Sequence, residues 1–316
     1  MIQKSLIKER VGSQRVSVDL PELLELSQNA KLLSLSALRR TNPQSGQQMS
    51  RLLARGMEFA ESRRYQAGDD IRNIDWRVTA RTGRAHTKLF TAEKERRVLL
   101  SVDMQSSMFF ATQGVFKSVQ AAMMMGYVAW SAALAGDRLG GIVFDGVDVF
   151  ESRPALGKKG VFPFLHGLSA HTNFFKKRAD QNRPPTEGAI DRAIVHLYQV
   201  AKPGSLIFMV SDFRYLTAHA LNLLIQLSMH SDLCLCFIYD AFEKELPKHR
   251  IFSVQGGGSE LEVDTHAKAN LEKYRQQFIQ RRAKIASLAN TRHIHFIECS
   301  TIEDPLEVLM KHFSKR

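Results

Sequence analysis

Two short stretches carry the side chains best suited to chemistry. Asp103, Gln105, Ser106 and Ser107 follow an apolar run at 98–102, and Ser211-Asp212 follows a second run at 206–210. Short oxygen side chains brought together from separate loops are what a hard cation needs, because magnesium demands near-octahedral oxygen coordination at about 2.0–2.1 Å and keeps several waters. Two carboxylates would roughly cancel the charge of such an ion and leave a coordination position for a carboxylate from a partner. The same residues have a second use, since Asp at a loop-to-helix boundary accepts backbone N–H groups and caps the helix. Spacing alone leaves both uses open.

These positions take their meaning from the elements around them. The runs at 98–102 and 206–210 are short and continuous, the pattern of a parallel strand buried on both faces. From Arg97 onward strands and helices alternate. A helix over 117–135 is closed by Gly136-Asp137-Arg138; a strand at 140–144 turns through Asp145-Gly146 into a partner strand at 147–150. Helices at 158–169 and 187–201, the strand at 206–210, a helix at 217–229 and a strand at 232–239 follow. A ribbon at 250–263, a helix at 266–289, a strand at 293–298 and a helix at 302–313 complete the series. Such alternation implies an α/β fold with a doubly wound, mostly parallel sheet. Ligands of such sheets bind beyond the carboxyl ends of the strands, where strand order reverses, and this singles out Asp103 and Asp212.

The chain has 316 residues, 44% of them apolar and 24% charged, enough for one large or two modest domains. Wholesale disorder and fibrous repeats are excluded. Cys234, Cys236 and Cys299 are an odd three, with the first two on one strand face, so a reducing, cytoplasmic setting fits better than a disulfide-built domain. The N-terminus lacks the apolar segment of a signal peptide. The uncharged stretch after Lys117 contains Gln120, Gly126 and Ser131 and reads as a buried helix, with no membrane span. No phosphate-binding G-x-x-x-x-G-K-[ST] loop occurs.

The net charge is +12, and residues 1–97 hold 19 Lys+Arg against 11 Asp+Glu, or +8. Arg63, Arg64, Arg72, Arg77, Arg81 and Arg84 alternate there with Glu58, Glu61, Asp69, Asp70 and Asp75. That alternation reads as an ion-pair network rather than as the cation track and stacking aromatics of a nucleic-acid binder. Asp19-Leu20-Pro21 opens one or two short helices over 19–40, and 85–90 reads as a strand.

Asp103-Met104-Gln105-Ser106-Ser107, the string GDRLGGIVF at 136–144 and the strand ending in Ser211-Asp212 resemble a von Willebrand factor A-type domain. Upstream, Glu58-Phe59, Arg63, Tyr65, Gly68-Asp69-Asp70, Arg72, Ile74-Asp75-Trp76 and Ala80-Arg81 resemble the signature of the bacterial DUF58 family. Its members join this signature to an A-type domain and are often encoded beside MoxR-type AAA+ ATPases. The resemblance runs from about residue 50 to the C-terminus and takes in Tyr274, Phe278, Arg281 and Arg282.

The resemblance implies an N-terminal helical and β extension over 1–95 packed on a von Willebrand factor A-like domain over 96–316. It also implies a metal-ion-dependent adhesion site reading Asp-x-Ser-x-Ser with a later Thr and Asp. Asp103 and Ser107 match its first and last positions, Gln105 stands where the first Ser belongs, Thr186 fits the Thr better than Thr172 does, and Asp212 matches the last acid. Mg2+ held there would take a carboxylate from a partner, so chelation is expected to abolish capture. Within the signature, Tyr65 and Trp76 are expected as packing anchors, and Arg63, Asp69, Asp70, Arg72 and Asp75 as bidentate pairs docking the segment; the alternative is a partner-binding surface. The implied function is a non-enzymatic adaptor that recruits or regulates a MoxR-type AAA+ ATPase. The alternative is nucleic-acid binding through the basic first third.

Overall fold

A computed structural model of the chain describes residues 12–35, 57–66, 69–92, 96–177, 188–247, 251–256, 259–264, 268–292 and 294–314. They fall into two compact units, with 12–35 joining 96–314 in one and the described part of 40–95 forming the other. In the larger unit the chain enters through α1 (Leu20–Glu25) and α2 (Ser27–Ala30). Asp19 and Glu22 form a reciprocal capping box at the start of α1, with Pro in its first turn, as the Asp-Leu-Pro spacing predicts.

The smaller unit is an antiparallel pair, β1 (Met57–Arg64) and β2 (His86–Ala92), in which Arg64 faces His86 and Met57 faces Ala92. Charged residues mask any alternation in β1, so periodicity gives no strand signal there. Helix α3 (Trp76–Thr82) lies between the two strands in sequence. It starts on Asp75 and ends at Gly83, whose φ of 66° is the left-handed conformation that suits a residue without Cβ.

The larger unit is built on six strands: β3 (Arg97–Asp103), β4 (Arg138–Phe144), β5 (Val149–Leu156), β6 (Leu206–Ser211), β7 (Asp232–Tyr239) and β10 (His295–Ser300). The intervening β8 (Ile251–Gly256) and β9 (Ser259–Asp264) make a separate two-stranded ribbon. The sheet order is β10-β7-β6-β3-β4-β5, all neighbours parallel except β4 and β5. Side chains alternate across it: Val98, Leu100 and Val102 enter one core cluster and Leu99 the other.

Helices cover both faces, which is why the strands are apolar throughout. On the first face lie α4 (Lys117–Leu134), α5 (Lys158–Lys177) and α10 (Pro305–Phe313). The second is packed by α6 (Ala189–Val200), α7 (Ala218–His230) and α9 (Lys268–Arg292). One short turn, α8 (Ala241–Lys244), follows β7. Gly141 is needed on β4 because a Cβ there would stand 2.4 Å from the Leu100 carbonyl oxygen and 2.7 Å from the Phe164 ring.

The sequence reading grouped 1–95 as one extension, and the structure corrects this. Leu23, Leu26, Leu33 and Leu35 are buried in the core cluster that contains α4. Trp130 Nε1 donates to the Leu23 carbonyl at 2.9 Å, and Gly126 leaves room for Leu26, whose Cδ1 would lie 2.7 Å from an added Cβ. Leu33 also bridges Ser314 at the far end of the chain. Short amphipathic helices have too little apolar surface to stand alone, so they are completed by whichever core accepts them.

Candidate functional site

The sheet order reverses between β3 and β6: the chain proceeds from β3 to β4 on one side, and β6, β7 and β10 are added on the other. Val102 pairs with Val210, so Asp103 at the end of β3 and Ser211-Asp212 at the end of β6 emerge side by side at this crevice. Both carboxylates are buried, at 1% exposure each.

Each is fully engaged. Asp103 Oδ1 accepts from the Gln105 amide at 2.9 Å, and its Oδ2 accepts from Ser211 Oγ at 2.6 Å and Gln105 Nε2 at 3.3 Å. Ser211 Oγ in turn accepts from the backbone N–H of Phe213 at 2.8 Å. Phe213 has a φ of 48°, the one non-glycine residue in the left-handed region among the described residues, a conformation that costs roughly 1–2 kcal/mol. Asp212 Oδ1 accepts from the Arg214 amide at 3.1 Å, and its Oδ2 lies 2.8 Å from Lys117 Nζ and 3.5 Å from Arg214 Nε.

Lys117, the first residue of α4, is completely buried and sends its ammonium into this crevice. The same Nζ lies 2.6 Å from Glu243 Oε1, which also accepts from Arg214 Nη2 at 2.6 Å. Arg281 of α9 approaches Glu243 Oε2 at 3.5 Å and lies over the rings of Phe237 and Phe278, 5.6 Å from each centroid. Burial and the neighbouring Asp212 charge push the Asp103 carboxyl up to about 7. Burial also pushes Asp212 upward, but Lys117, Arg214 and Arg281 outweigh it and hold this carboxyl well below the usual range.

This arrangement does not fit a hard divalent cation. Asp212 is neutralised by an ammonium already in contact, and a divalent ion within about 4 Å of that ammonium would meet a repulsion of roughly 8 kcal/mol at an effective dielectric of about 20. No group of three His, Cys, Asp or Glu side chains converges to hold a metal among the described residues. Gln105 Oε1 and Ser107 Oγ are buried without hydrogen-bond partners, but they are neutral and offer an ion no charge. Thr172, the weaker candidate for the later ligand, serves elsewhere: its hydroxyl donates to the Val18 carbonyl at 3.1 Å and accepts from the Val18 amide at 3.4 Å. Thr186 lies outside the described residues.

Sequence reasoning missed Lys117, Arg214, Glu243 and Arg281 as a group. One signal was present, a lysine opening a helix whose next charged residue is Asp137. Glu243, within DAFEKE, carries no local signal.

In the smaller unit, Arg63 Nη2 donates to Asp69 Oδ1 at 2.7 Å, while Tyr65 Oη donates to the Asp69 carbonyl oxygen at 3.3 Å. The expected network of bidentate pairs is otherwise absent among the described residues. Asp70 accepts from the Arg72 amide at 3.0 Å; Asp75 accepts from Ser62 Oγ at 2.8 Å and from the Val78 amide at 3.2 Å. A short Asp side chain reaches a backbone N–H two or three residues on more readily than a distant guanidinium. Arg72, Arg77, Arg81 and Arg84 are exposed and meet no acid among the described residues. Trp76, expected as a packing anchor, is 68% exposed, and Ile71 is 65% exposed. Gly68 lies outside the described residues.

The model of the family "Protein of unknown function DUF58" matches residues 61–284. Proteins described as uncharacterized, Mb1516 of Mycobacterium bovis and Rv1480 of Mycobacterium tuberculosis, are each 38% identical over 91 residues. That match spans 29% of this chain and 29% of the length of each relative. Among solved structures, BatB of Bacteroides thetaiotaomicron, described as a conserved hypothetical protein, superposes with a TM-score of 0.36 at 13% identity, covering 62% of this chain and 99% of that one.

Proposed function

This chain belongs to the DUF58 family, and on that premise we propose that it is a non-enzymatic adaptor whose signature unit binds an acidic segment of a MoxR-type AAA+ ATPase. The larger unit, read as a von Willebrand factor A-type sheet, is its scaffold. The observation that carries this reading is Trp76, 68% exposed at the start of α3, with Arg77 and Arg81 one helical turn apart beside it. Trp and Arg are the residues that dominate binding energy at protein interfaces, and Ile71 adds apolar surface with no use in holding phosphate. The ion cluster at the carboxyl end of the sheet supports a scaffold role, because its three carboxylates are buried and held by Ser211, Lys117 and Arg214 within the unit.

The test is capture of a purified MoxR-type AAA+ ATPase, comparing the wild type with Trp76→Ala and Arg81→Glu. Loss of capture in both variants supports the reading, whereas capture unchanged in both overturns it. Arginines that meet no acid among the described residues, beside an exposed aromatic, also favour a second reading, binding of single-stranded nucleic acid by stacking and phosphate contact. That reading requires affinity for an oligonucleotide that falls steeply with salt as counterions are released; no binding at low salt eliminates it.

A further inference from the structure

The crevice at the strand-order reversal has the loop positions of a cation site and a different occupant. We propose that the ammonium of Lys117 is the resident cation of this crevice, bound covalently through α4, so that the larger unit closes its carboxyl end without a metal ion.

The geometry is specific. Lys117 is held at the first position of a helix whose residues 117–132 are all buried, so its stem cannot swing out to solvent. Its Nζ contacts Asp212 at 2.8 Å and Glu243 at 2.6 Å, one carboxylate just beyond the end of β6 and the other in the short turn α8 that follows β7. Arg214 contacts both carboxylates and Arg281 approaches Glu243, so that three buried or half-buried cations meet Asp212 and Glu243. Asp103, the remaining carboxylate, is bridged to β6 by the Ser211 hydroxyl rather than by an ion. Gln105 then has a physical role at the position where a metal site would require a short hydroxyl. Its amide donates to Asp103, while a Ser there would be too short to reach in the same way.

A tethered ammonium differs from a bound ion in one consequence. It cannot dissociate, so the crevice does not respond to divalent cation concentration or to chelators. The inference concerns the larger unit alone and does not rest on the adaptor reading; its test uses no partner, so the two can fail separately.

The full-length protein, first treated with chelator, is titrated into Mn2+ while the free-ion signal is followed by electron paramagnetic resonance, and it is melted in Mg2+ and in chelator. The proposal expects the Mn2+ signal to stay at its free value and the two melting temperatures to coincide. A stoichiometric loss of free Mn2+ signal that Asp103→Asn reverses would overturn it, as would a lower melting temperature in chelator. A second measurement examines the lysine directly. Lys117→Met is expected to lower the melting temperature, and adding Asp212→Asn to recover part of that loss, because the stranded carboxylate is removed. A Lys117→Met protein as stable as the wild type sinks the proposal; if that variant does not fold, the Mn2+ titration of the wild type decides.

Discussion

Ser211 Oγ lies 2.6 Å from Asp103 Oδ2, joining the ends of two neighbouring strands at the point where the order of the sheet reverses. The same hydroxyl accepts the N–H of Phe213, the residue held at a left-handed φ. Ser211→Ala would leave that amide without its acceptor and Asp103 Oδ2 with only the 3.3 Å contact from Gln105. Stranding a buried donor beside a carboxylate costs about 1–3 kcal/mol. Denaturant unfolding should show a lower midpoint with an unchanged slope, and an unaltered midpoint would count against this role.

Asp240, at the end of β7, ties two loops together. It accepts from the Thr112 amide at 2.9 Å, the Thr112 hydroxyl at 2.7 Å, the Thr301 hydroxyl at 2.9 Å and the Phe242 amide at 2.9 Å. Burial pushes this carboxyl upward, but the hydrogen bonds from Thr112, Phe242 and Thr301 outweigh it and hold the carboxyl below its ordinary 3.8. A carboxyl lowered by folding adds stability above its unfolded value and loses it as pH falls through the folded one. Asp240→Asn should therefore cost about 1.5–3 kcal/mol at neutral pH. The gap to the wild type should close as the solution is acidified below 3.8, measured by thermal melts across a pH series.

Gly114 sits at φ 77°, and a Cβ there would lie 2.1 Å from the Thr301 carbonyl oxygen. That oxygen accepts the Val115 amide at 3.1 Å, so it cannot retreat without breaking a contact between the two loops. Gly114→Ala is expected to lose about 2 kcal/mol or more from the left-handed conformation and the clash together. Hydrogen exchange should show faster opening of both loops, whereas wild-type protection would contradict the close approach.

Trp76 is too exposed for its removal to disturb folding, so Trp76→Ala should change unfolding by no more than about 0.5 kcal/mol. If the side chain anchors a partner, the same substitution should weaken binding by about 2 kcal/mol, or roughly 30-fold. Calorimetry of binding alongside a melt separates the two, and a stability loss with intact binding would show that Trp76 packs rather than recruits.

Much of the framework was legible from local pattern. The apolar runs at 98–102 and 206–210 became β3 and β6, and the Asp145-Gly146 dipeptide marked the turn into antiparallel β5. Asp103 and Asp212 were legible as strand-end carboxylates for the same reason, because an apolar run that stops at an acid marks its own boundary. Strand β1 was not, since its glutamates and arginines hide any alternation. The short helices expected over 19–40 are present as α1 and α2 and pack on the larger unit, but amphipathicity does not tell that they join its core while the described part of 40–95 forms a unit of its own.

The amino-acid sequence by itself determined the alternation of strands and helices, the places where strands end and the acids that stand there. Only the tertiary structure decided what those acids meet. Lys117 is 95 residues from Asp212 and 126 from Glu243, and the ammonium reaches both because β6 lies next to β3 and β7 next to β6. Periodicity and capping are properties of a few neighbouring residues. The partner of a buried charge follows from strand order, which arises from packing across the whole sheet.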